Sequence, residues 1–121
     1  TFEEEIRQYD FHTVLIENQL GMSAIGMKSV QSAITMYFVM VDKKEIVYVS
    51  PRNKLKGYNT PQSTYKERKA SAISITREKL ISTNSSHLLA FENSRKKDDL
   101  ADSYLQAMWY IGSKAMRCRT V

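Results

Sequence analysis

Two short β-branched runs, Thr13-Val14-Leu15-Ile16 and Ile46-Val47-Tyr48-Val49, flank one long stretch of helical periodicity, and that spacing constrains the fold more than any other feature of the chain. Each run is long enough for one buried strand. Between them Gly21 breaks the chain, and Ser23 to Val41 reads as a helix. Ile25, Met27, Val30, Ile34, Tyr37, Phe38 and Val41 fall there at mixed three- and four-residue spacing. Residues 2–10 carry a short amphipathic pattern through Phe2, Ile6 and Tyr9. Arg52 to Thr64 holds Gly, Pro, Asn and Ser and reads as a loop. Tyr65 to Ile81 is helical, Ser82 to Ser94 is less regular, and a last helix runs from Asp98 to about Met116. The order αβαβαα predicts an α/β fold with at least two parallel strands.

A length of 121 residues accommodates one core, so residues 1–121 are expected to form a single domain. The longest apolar-leaning stretch, Ala33 to Val41, falls far short of the ~20 residues that span a bilayer, and no membrane association is expected. The acidic start, Glu3-Glu4-Glu5, is unlike the basic opening of a signal peptide. A lone cysteine, Cys118, rules out an internal disulfide and points to a reducing, intracellular setting.

Charge is more informative. The net charge is +5, which favours a polyanionic partner. Positive residues cluster at Arg52 to Lys56, Lys66 to Lys69, Arg95 to Lys97 and Arg117 to Arg119. The negative ones gather at Glu3 to Glu5 and in Asp98-Asp99-Leu100-Ala101-Asp102. On a helix, Asp99 and Asp102 stand three residues apart and share a face. Paired carboxylates of that kind suit a hard divalent cation, which takes oxygen ligands.

Each acid also has a plainer account. Acids in a first helical turn stabilise the helix dipole by roughly 0.3–1 kcal/mol, which accounts for Asp98 but not for Asp102 beyond that turn. Glu17 ends its strand where open α/β sheets place ligands, and an ordinary solvent-facing strand-end acid is the alternative. His12 and His87 lack zinc-site spacing. No Walker A lysine, nucleophile elbow or glycine-rich dinucleotide turn is present, so no small-molecule cofactor is expected. Two cations held by such acids would activate a water and stabilise the leaving oxygen of a phosphodiester.

Several segments resemble, in order, the Holliday junction resolvases of poxviruses and other large DNA viruses. They are Thr13 to Gln19, Met27-Lys28-Ser29-Val30-Gln31, Val49-Ser50-Pro51 with Asn53-Lys54-Leu55-Lys56, Tyr65-Lys66-Glu67-Arg68-Lys69, and Lys97 to Ser103. The resemblance implies a RuvC-like, RNase H-like fold with a mixed sheet flanked by helices. It also implies a homodimeric endonuclease that cuts four-way DNA junctions with Mg²⁺, or Mn²⁺ in its place.

Carried over, Glu17, Asp99 and Asp102 become metal ligands, and Lys69, or else Arg68, the basic residue at the scissile phosphate. Lys28, Lys54, Lys56, Lys66, Lys96 and Lys97 become DNA-backbone contacts. The Ser23 to Val41 helix supplies part of the dimer surface, although most of its Met and aromatic stripe is expected to be core. The alternatives are a non-catalytic junction-binding protein on the same fold and a related nuclease acting on RNA/DNA hybrids or flaps. A viral protein acting at cytoplasmic or nuclear replication sites is implied, with a mitochondrial relative as the other possibility. The family's first three strands, and the Asp on the first of them, have no counterpart before Glu17. Amino-terminal incompleteness is the expected reason, loss of a catalytic acid the other.

Overall fold

The computed structural model describes residues 1–21, 24–41, 45–58 and 64–119, without the side chains of Phe2 and Arg119. The anticipated helix start at Ser23 and loop residues 59–63 lie outside this set. The chain divides into two compact units, residues 1–50 and 51–121.

In the first unit, α1 (Phe2–Arg7) carries Glu3, Glu4 and Glu5 in its first turn and Arg7 in its last, the polarity a helix dipole favours. The strands β1 (Thr13–Glu17) and β2 (Glu45–Val49) pair in parallel, from Thr13 opposite Glu45 to Glu17 opposite Val49. Parallel neighbours need a long crossover, and α2 (Ile25–Val41) provides it. The chain turns into this crossover at Gly21, whose φ of +89° is open to glycine and costly for other residues. Ile16, Phe38 and Val49 are buried, and the Phe38 ring takes edge-on contacts from Phe11 and Tyr37 at 6.1 and 5.1 Å.

The stripe on α2 departs from expectation. Phe38 is buried, but Ile25, Met27, Val30, Ile34 and Val41 are exposed. Two five-residue strands, ~4.8 Å apart, are too narrow to cover a seventeen-residue helix face, so the apolar periodicity is real without being core.

The second unit begins with a 3-10 turn, Pro51–Leu55, inside the segment read as loop. It continues through α3 (Tyr65–Ser82), α4 (Leu88–Asn93) and α5 (Lys97–Arg119). Basic residues at the start of α3 oppose its dipole, but a capping box overrides them. The Glu67 backbone N–H donates to Thr64 Oγ1, and the Thr64 N–H donates to Glu67 Oε2, each at 3.1 Å. Asn84 ends the helix in the left-handed region at φ 50°, with the Ser85 N–H closing onto the Leu80 carbonyl at 3.0 Å.

The core joins Leu55, Ala72, Leu80, Phe91, Ala101 and Leu105. Ala72 and Ala101 are both fully buried, and two methyl side chains let α3 and α5 approach closely. Helix α4 was not anticipated, because six residues are too few to display a helical period. It contributes Phe91 to this core and the Glu92 carboxylate to Arg77 of α3.

Candidate functional site

In the first unit the candidate residue is Glu17, half-buried at the carboxyl end of β1. A side-chain and backbone network anchors this strand end. The Asn18 N–H donates to the Val49 carbonyl at 2.8 Å, which extends the parallel ladder by one residue. The Gln19 N–H donates to Gln31 Oε1 at 2.8 Å, and Gln31 Nε2 donates to Asn18 Oδ1 at 3.5 Å. Gln31 of α2 therefore ties the helix to the strand end carrying Glu17. Sequence reading gave Gln31 no role, since a half-buried glutamine in a helix has no signature of its partner.

In the second unit the acids cluster at the start of α5. Asp98 accepts a hydrogen bond from Lys69 of α3, Nζ to Oδ2 at 2.6 Å, and Asp102 accepts one from Lys54 of the 3-10 turn at 2.7 Å. The two carboxylates stand four residues apart on the face of α5 that meets the other elements, with fully buried Ala101 beside them. Asp99 is exposed. Asp98 and Asp102 each hold a lysine from a different element, and Asp99 faces solvent.

The charge-assisted bond from Lys69 holds the Asp98 carboxyl below the usual aspartate range, against a smaller opposing effect of desolvation. The same bond, reinforced by Tyr65, raises the Lys69 ammonium above an ordinary lysine. Its Nζ also lies 4.8 Å from the centroid of the Tyr65 ring.

Of the basic residues singled out for DNA, Lys28, Lys56, Lys66, Arg68 and Lys96 are exposed. Lys97 is half-buried and donates to the Ser94 carbonyl at 2.9 Å. Lys54, 20% exposed at its side chain, is held by Asp102. Lys56 lies over Trp109, with Nζ 5.7 Å from the ring centroid.

Among the described residues no three His, Cys, Asp or Glu side chains gather closely enough to hold a metal ion. Asp99 and Asp102 are oxygen donors, the type that Mg²⁺ takes, and the Asp102 carboxylate is paired with the Lys54 ammonium.

The chain carries a net charge of +5, and on α5 two acids are each paired with a lysine from another element. The family model of the Poxvirus A22 protein matches residues 1–114, and the chain belongs to that family. Uncharacterized protein L451 of Acanthamoeba polyphaga mimivirus is 31% identical over 118 residues, a match covering 81% of this chain and 28% of that protein. The chain spans less than a third of that relative's length. Both similarities are to proteins of large DNA viruses, as the ordered motifs implied. No solved structure matches. No helix among the described residues is long and apolar enough to cross a membrane.

Proposed function

We propose that the chain is a viral Holliday junction resolvase, a Mg²⁺-dependent endonuclease that cuts paired strands of four-way DNA junctions. Membership of the poxvirus A22 family supports the viral resolvase role. The observation that carries the catalytic reading is Asp99, open to solvent on α5 three residues before Asp102, so that its carboxylate is accessible to a cation.

In this reading Glu17, Asp99 and Asp102 are metal-ligand carboxylates, with Mn²⁺ able to replace Mg²⁺. A cation held there would supply Lewis acidity and activate the attacking water. The chain's own residues do the rest. Lys69, oriented by Asp98 and Tyr65, offers a fixed ammonium to the charge developing on the scissile phosphate. Lys54, held by Asp102 in the free protein, would serve as a further contact to the DNA backbone. Lys28, Lys56, Lys66, Arg68, Lys96 and Lys97 position the duplex arms without reading sequence. The fold is proposed to be RNase H-like, and the exposed apolar residues of α2 are proposed to form part of a homodimer surface.

The second reading, a junction-binding protein without catalysis, draws on the same ion pairs, because Asp98 and Asp102 already have partners without a metal. Cleavage of a synthetic four-way junction with Mg²⁺, alongside binding in Ca²⁺, decides between them. Resolvase activity gives paired symmetric nicks that Asp99→Asn abolishes while junction binding persists. Binding without nicks by the unmodified chain establishes the second reading, and nicking by Asp99→Asn overturns the site assignment.

A further inference from the structure

We infer that the second unit carries a stacking groove for unpaired bases of single-stranded DNA, built from Trp109, Tyr58 and three lysines. The inference deepens the proposed junction reading and rests on it for its biological setting. The groove has a volume of about 310 Å³, and its lining includes Lys54, Lys56, Tyr58, Lys79, Leu105 and Trp109. That volume falls within the ~300–1,000 Å³ of small-ligand pockets. Its make-up is unusual for a site that takes an apolar ligand, since each aromatic ring is already faced by a cation. Lys56 Nζ lies 5.7 Å from the Trp109 centroid and Lys79 Nζ 5.5 Å from that of Tyr58.

Two aromatic rings with three ammonium groups among them match a nucleotide strand part by part. Rings take the faces of unstacked bases, and lysines take the phosphates that flank them. A paired duplex hides its base faces, so the groove selects unpaired strand. Position ties it to the candidate site. Lys54 lines the groove and also holds Asp102, so a strand lying in it passes beside the acid-bearing face of α5. A junction whose central pairs open would supply such a strand.

Trp109 is the sole tryptophan of the chain, so its emission reports this groove alone. The experiment titrates the full chain with oligothymidylate in EDTA, following Trp109 fluorescence together with the anisotropy of the labelled oligonucleotide. Saturable quenching is expected, with none from a blunt duplex at matched salt. Trp109→Leu is expected to weaken oligothymidylate binding by roughly 5- to 150-fold, the effect of one stacked base. Lys56→Gln, at an exposed side chain and so safe for folding, is expected to weaken it several-fold while quenching survives.

Oligothymidylate binding that leaves Trp109 emission unchanged overturns the groove, as does absence of any such binding. Neither outcome touches the resolvase reading, which stands or falls on junction nicking in Mg²⁺. Quenching without nicking keeps the groove and removes the nuclease.

Discussion

Asp102 Oδ2 lies 2.7 Å from Lys54 Nζ, so an acid singled out as a metal ligand and a lysine singled out as a DNA contact are bonded to each other. The pair is about three-quarters buried, with side-chain exposures of 29% and 20%. It joins α5 to the 3-10 turn. On the proposed reading a divalent cation at Asp102 would compete with that ammonium, and DNA phosphates would offer Lys54 another partner.

This competition predicts that Lys54→Gln binds Mg²⁺ or Mn²⁺ several-fold more tightly than the unmodified chain when DNA is absent. Titration calorimetry measures it directly. Unchanged affinity would mean that Asp102 is not a metal ligand. Asp102→Asn is expected to remove metal binding altogether in the same assay.

The Asp98–Lys69 pair predicts a pH signature. Asp98 has a folded-state pKa below its unfolded value of 3.8. Its contribution to stability is therefore full above that value and is lost as pH falls through the folded pKa. Lys69 is raised above its ordinary 10.5, so its share is full below that value and is lost as pH rises through the folded pKa. Asp98→Asn should melt at a lower temperature than the unmodified chain near neutrality, and the gap should close in acid well below the ordinary aspartate value. A gap that persists in acid would assign the effect to something other than this charge pair.

The start of α3 depends on Thr64 and Glu67 rather than on its basic residues. Thr64→Ala removes one acceptor of the capping box and is expected to cost about 0.5–2 kcal/mol. A lower denaturation midpoint with an unchanged m-value is the expected result. In the core, Leu105→Ala at a position 1% exposed should cost about 2–5 kcal/mol. Ala101→Leu should cost about 1–3 kcal/mol by forcing α3 and α5 apart.

Gln31 is predicted to position the strand end that carries Glu17. Gln31→Leu leaves the Gln19 N–H without its acceptor and should cost about 1–3 kcal/mol. Amide hydrogen exchange at Gln19 should speed up. Gln31→Glu keeps an acceptor and should restore slow exchange. Fast exchange in both variants would show that the network does not hold this strand end.

Much of this protein is written locally in its residues. The β-branched runs at Thr13 and Ile46 specify strands because branched side chains suit a pleated, half-buried surface. The helix between them makes the pairing parallel because nothing shorter can cross over. The ordered motifs around Glu17, Lys54, Lys69 and Asp99 were enough to identify the viral family. The capping box is a local pattern, Thr64-x-x-Glu67, although basic residues surround it. The α2 stripe showed that an apolar periodicity says which residues share a face, not what covers that face.

The two strands, the crossover, the long helices, the acid run on α5 and the charge pattern are all local features, each set by neighbours within a few residues. Packing between distant segments sets which lysines Asp98 and Asp102 hold, that Gln31 reaches Gln19, and that Lys56 and Lys79 lie over Trp109 and Tyr58. Lys69 and Asp98 are 29 residues apart and Lys54 and Asp102 are 48. Pairings at that range arise only when the packing of Ala72, Ala101 and Leu105 fixes where the helices meet, and no local pattern encodes that distance.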